Sequence, residues 1–149
     1  MDTLFGLPAH PLIVHFPIVA IPTLAVVAIL VALRTSARER YGLAVIAFGI
    51  VTTIATFLAA ASGTSLAEDV GKVEAISSHQ RHGETLRLLV LSVTVLLTFQ
   101  TLDLRKRGVQ HDALAKFLSI AIIIAAVLSV VWTVLTGHSG AESVWGFLS

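Results

Sequence analysis

Pro11-Leu12-Ile13-Val14-His15-Phe16-Pro17-Ile18-Val19-Ala20-Ile21-Pro22-Thr23-Leu24-Ala25-Val26-Val27-Ala28-Ile29-Leu30-Val31-Ala32-Leu33 runs without a single Asp, Glu, Lys or Arg. About 20 apolar residues in a helix cross the hydrocarbon of a bilayer, so this stretch predicts a transmembrane span. Outward from it, residues 43–62, 85–102 and 114–136 repeat the pattern, which makes four spans. The whole chain of 149 residues is 56% hydrophobic and 13% charged, about half the roughly 25% charge of soluble domains. A water-soluble domain of this size cannot hide that much apolar surface. The expected fold is an all-α integral membrane protein, one four-helix transmembrane bundle over residues 1–149.

The connecting segments set the orientation. Arg34, Arg38 and Arg40 lie between spans one and two, and Arg105, Lys106, Arg107 and Lys116 around the connection of three to four. The other side has only Lys72, Arg81 and Arg87. Basic short loops stay in the cytoplasm, so both termini are expected on the extracytoplasmic side of a bacterial inner membrane. Only Asp2 is charged before span one, which therefore lacks the basic start of a signal peptide.

Local signals predict the helix ends. Pro11 suits a first turn, while Pro17 and Pro22 fall inside the span and free the carbonyls of Ile13 and Ile18. Ser77 with Gln80 reads as a capping box opening span three, and Gly137 as the stop of span four. Leu66, Val70, Val73 and Ile76 have the spacing of a short helix on the membrane surface. No repeat is evident between the halves. Gly49, Thr52, Thr53 and Thr56 read as helix-packing residues, and Trp132, Trp145 and Phe147 as an interfacial belt.

Composition excludes several functions. There is no cysteine, hence no thiolate metal site or covalently attached haem. A net charge of +1 gives no case for nucleic acid as a partner. The span centres carry no carboxylate relay for proton pumping, there is no filter-like loop, and no nucleophile with a base beside it marks an enzyme. Whether the chain catalyses anything alone is left open.

The unusual polar supply is histidine. His111 lies in the basic inner connection. His10 and His15 open span one, His79 and His82 open span three, and His138 closes span four, so five imidazoles share one membrane level. Interfacial histidines often merely cap helices, yet an imidazole within a span invites a functional reading. Two guests suit such a set. One is haem b, held by one or two histidines; the other is zinc or copper held by three or more. Small side chains from Ala59 through Ala60, Ala61 and Ser62 to Gly63 favour a flat porphyrin, and Glu142 with Arg81 or Arg87 are candidates to face its propionates. His15 with His79 is the first expected axial pair, with His82 as an alternative, and His138 and His10 as supporting groups. The same pair, His15 and His79, would anchor a bare zinc or copper ion. A non-catalytic assembly subunit of a larger complex is the remaining reading.

His10-Pro11-Leu12-Ile13-Val14-His15-Phe16-Pro17-Ile18 resembles the opening H-P-x-[LIV]-V-H-F-P-I of the bacterial four-helix membrane family called domain of unknown function 2231. Thr136-Gly137-His138-Ser139-Gly140 is similar to its closing T-G-H-x-G, with Ala141 where many members have a second glycine. His79-Gln80-Arg81-His82-Gly83 is a looser match to its H-R-x-x-G. The resemblance implies a setting beside c-type cytochrome or Rieske-type modules, and so respiratory electron transfer at the outer face. It leaves open a homo-oligomer or a larger complex.

Overall fold

The computed structural model describes residues 3–4, 7–69, 77–107 and 113–145. Thr3–Leu4 (β1) pairs antiparallel with Leu7–Pro8 (β2), and five helices follow. They are α1 (Ala9–Ile13), α2 (His15–Leu33), α3 (Thr35–Asp69), α4 (Ser77–Arg107) and α5 (Ala113–Trp145). The first span comprises α1 and α2, and α3, α4 and α5 supply the other three.

Four helices long and apolar enough to cross a membrane cover the four expected stretches and extend beyond them. At about 1.5 Å per residue the 35 residues of α3 reach roughly 52 Å, well beyond a hydrocarbon core of about 30 Å. The polar ends of the helices therefore project past the apolar stretches. Gly137 does not stop α5, which continues to Trp145. A glycine costs a helix only about 1 kcal/mol, and the packing described below holds this turn in place. Of the expected surface helix, residues up to Asp69 continue α3, and Val70, Val73 and Ile76 lie outside the described residues.

The interruption between α1 and α2 falls at Val14, whose backbone stays helical at φ −65°, ψ −22°. The ladder runs through it, from Val14 N to His10 O at 3.1 Å and from Ile18 N to Val14 O at 3.2 Å. Pro17 has no N–H to offer the carbonyl of Ile13, which explains a break at this turn. Pro22 is accommodated inside α2.

Each helix packs on its neighbour in sequence, and α5 closes the ring against α2. Ala28, Val90, Leu97, Ile122 and Ala126 are completely buried along the axis. The outer surface is just as apolar, with Val19, Phe117 and Val134 among its most exposed residues. Helices hydrophobic all round belong in lipid. In lipid the association of helices rests on close packing of small residues and a few hydrogen bonds. Thr53 and Thr94 share such a bond between α3 and α4 at 3.0 Å. Gly49 admits that contact, because a Cβ there would stand 2.9 Å from Thr94 Oγ1. The threonine–glycine face is a packing face, as its spacing predicts.

Trp132 departs from the expected belt: it packs against the core, whereas Trp145 is exposed. Phe147 and His111 lie outside the described residues.

Candidate functional site at the histidine end

His10 on α1 and His79 on α4 start their spans at the same end of the bundle. Their ring centres are 6.2 Å apart and the planes meet at 84°. Both are half-buried, and each leans on the helix that closes its own hairpin.

His10 rests on the last turns of α3. Its Nδ1 lies 3.0 Å from the Ala59 carbonyl oxygen and 3.1 Å from Ser62 Oγ. Gly63 makes room, since a Cβ there would come within 2.9 Å of His10 Cε1. His79 rests on α5 in the same way. Its Nδ1 lies 2.9 Å from the Thr136 carbonyl oxygen, and a Cβ at Gly140 would be 3.0 Å from its Cε1. One turn further along α4, His82 Nδ1 lies 3.2 Å from Ser139 Oγ.

The two cradles have one pattern. Ala59-x-x-Ser62-Gly63 and Thr136-x-x-Ser139-Gly140 each provide a carbonyl, a serine three residues on and a glycine one further. In each, the serine donates back to that carbonyl, at 2.9 Å for Ser62 and 3.1 Å for Ser139. The first and second helical hairpins thus repeat one another at this end. The sequence reading found no repeat because only Ser-Gly is shared letter for letter. The helical spacing of Ser-Gly from the end of spans two and four was the available signal.

These bonds fix the imidazole tautomers. A carbonyl can only accept, so Nδ1 of His10 and of His79 carries the proton. Ser139 spends its single proton on the carbonyls of Leu135 and Thr136, so it accepts from His82 Nδ1. In the neutral form of each ring, Nε2 is then the nitrogen without a proton. Metal-binding histidines are commonly oriented in this manner, by an Nδ1–H bond to a backbone carbonyl that also raises ligand basicity.

The other candidates stand apart. His15 is exposed, and its Nδ1 donates to the carbonyl of Pro11 on α1, one turn back in the same span. Five residues turn a helix by about 140° beyond a full turn, so His10 and His15 occupy different faces; it is His10 that meets His79. His138 is exposed and pairs with Glu142, Nε2 to Oε1 at 3.5 Å. Its position, two residues from both Thr136 and Gly140, turns it away from the cradle face. Arg81 is exposed and donates to the Ser77 carbonyl at 3.4 Å. Arg87 lies over the Phe57 ring, its guanidinium carbon 5.4 Å from the ring centre. Among the described residues no group of three or more His, Asp or Glu side chains is placed to hold a metal ion.

Metal–imidazole bonds are about 2.0–2.1 Å, and nitrogen lies roughly 1 Å from its ring centre, so two imidazoles that share one ion have centres at most about 6 Å apart. The separation of His10 and His79 matches this. A haem iron brings four nitrogens of its own and asks the protein for two. A bare zinc or copper site asks for three or four, more than these helices bring together.

Neither the curated proteins nor the solved structures contain a match to this chain. The family model described as a predicted membrane protein, domain of unknown function 2231, matches residues 6–148. With four membrane-length helices and that match over nearly its whole length, the chain belongs to this family of membrane proteins.

Proposed function

We propose that this chain is a membrane haem-b protein that passes electrons at the histidine end of the bundle, with His10 and His79 as the residues that would hold the iron. The observation that carries the reading is the facing pair of imidazoles, each tied through Nδ1 to a carbonyl of its own hairpin. When bound, haem b supplies one-electron chemistry at its iron. The chain's part is to hold the two imidazoles beside one another, each with its Nδ1 proton given to a backbone carbonyl. Gly63 and Gly140 let both imidazoles seat against helix backbone, which limits their rotation. The site lies near a bundle end, within reach of a partner at that face. The reading places that face outside a bacterial inner membrane, toward a c-type cytochrome or Rieske-type partner.

A visible spectrum of the detergent-solubilised protein, produced with haem available, tests this directly. The expected result is a Soret band with a reduced-minus-oxidised α band. Protein that stays folded without either band when haem is added removes the proposal. Metal found by elemental analysis in such protein transfers the site to the zinc or copper reading.

A further inference from the structure

The opposite end of the bundle holds a second polar junction, to which all four spans contribute. Arg38 on α3 is 6% exposed, and its Nη2 donates to the Ala32 carbonyl of α2 at 3.4 Å. Ser119 on α5 donates to that same carbonyl at 2.9 Å. Gln100 on α4, 2% exposed, donates through Nε2 to Ser119 Oγ at 2.8 Å and to the Ala115 carbonyl at 3.3 Å. Those two bonds assign the amide orientation, because a flip would set oxygen against a carbonyl.

Among the described residues, three buried atoms of this junction have no hydrogen-bond partner: Arg38 Nε, Gln100 Oε1 and Thr101 Oγ1. Thr101 is the telling one. The other threonines within the spans return their hydroxyl to the carbonyl four residues back, as Thr94 and Thr98 do on the same helix. Thr101 instead packs against Gly42 of α3, one turn from Arg38, where a Cβ would stand 2.6 Å from its Cγ2 and 3.2 Å from its Oγ1. A guanidinium this buried is stabilised by negative charge brought close to it. Glu39, next to Arg38 in sequence, is exposed and supplies part of that charge from the solvent side of the helix end. Exposed Arg34, Arg40 and Lys116 make this end basic.

We infer that this junction binds the headgroup of an anionic, hydroxyl-bearing phospholipid, with phosphatidylglycerol as the representative. Basic pockets between transmembrane helices take such headgroups. The unmet groups match the chemistry of this one: Arg38 and Thr101 donate to phosphate oxygens, and a glycerol hydroxyl donates to Gln100 Oε1. A zwitterionic choline headgroup has no hydroxyl for that third atom. This site is separate from the histidine end and stands whether or not haem binds there.

The test is thermal unfolding of the full chain in mild detergent with added phosphatidylglycerol, phosphatidylcholine or inorganic phosphate. Phosphatidylglycerol should raise the midpoint by roughly 2–4 °C in the wild type and in Arg34→Gln. Most of that rise should vanish in Arg38→Gln and in Thr101→Val, the second keeping the charge and the side-chain shape. Equal rises in all four proteins overturn the inference, as does phosphatidylcholine matching phosphatidylglycerol. Inorganic phosphate matching the lipid at equal concentration overturns the lipid as the source of the phosphate.

Discussion

His10 and His79 meet with their ring centres 6.2 Å apart although 69 positions separate them in the chain. Each belongs to a different helical hairpin, and each is held by the hairpin's second helix rather than by the other histidine's support. The pair is thus the place where two similar halves face one another.

The glycine seats should be intolerant of a methyl group. A Cβ at Gly140 would stand 3.1 Å from His79 Nδ1 as well as 3.0 Å from Cε1, so the ring must shift by a few tenths of an ångström against its carbonyl partner. In Gly140→Ala a helix-propensity gain of about 1 kcal/mol opposes an overpacking cost of about 1–3 kcal/mol. Circular dichroism should show unchanged helix with a midpoint equal to or slightly below the wild type. Haem content should fall, and Gly63→Ala should behave alike. Full haem retention in both would remove the seating argument.

Removing the serine hydroxyls should have smaller effects. Ser62→Ala leaves His10 its bond to Ala59, and Ser139→Ala leaves His79 its bond to Thr136. Each substitution should lower stability by about 0.5–1.5 kcal/mol, measured by denaturant or thermal unfolding, with haem still bound. Ser139→Ala should free His82 for exchange with added imidazole-reactive reagents faster than in the wild type.

Along the α3–α4 seam, Thr94→Val removes the partner of Thr53. Hydrogen bonds between membrane helices average about 0.6 kcal/mol and reach about 1.7 kcal/mol, so a mild loss is expected. Gly49→Leu forces a large side chain into a site where even a Cβ meets Thr94 at 2.9 Å. It should unfold the bundle at a markedly lower temperature than Thr94→Val; the reverse order contradicts the packing described.

Orientation is open to a clean test, because the chain has no cysteine. Ala141 and Ser36 are both exposed, at opposite ends of the bundle. With both termini outside, Ala141→Cys should react with a membrane-impermeant maleimide in intact cells. Ser36→Cys should react only after the membranes are opened. The opposite pattern reverses the topology.

Hydropathy alone made the four spans legible, since a charge-free run such as residues 11–33 has few other fates. Helix ends were less so: the stop rule for Gly137 weighs a local preference, whereas α5 there is held by contacts with α4. The choice between His10 and His15 was hidden for another reason. Both open the same span, and only the rotation of that helix against α3 decides which ring turns inward. The cradles were likewise obscured, because Ala59 and Thr136 contribute backbone carbonyls that any residue type could offer. Arg38 read as one more basic loop residue, and only its burial sets it apart.

The most direct test of the central claim compares reduced-minus-oxidised spectra of three single substitutions, His10→Ala, His15→Ala and His79→Ala, in equal amounts of folded protein. The account predicts that His10→Ala and His79→Ala each lose the six-coordinate α band while His15→Ala keeps it. Loss in His15→Ala with retention in His10→Ala contradicts it.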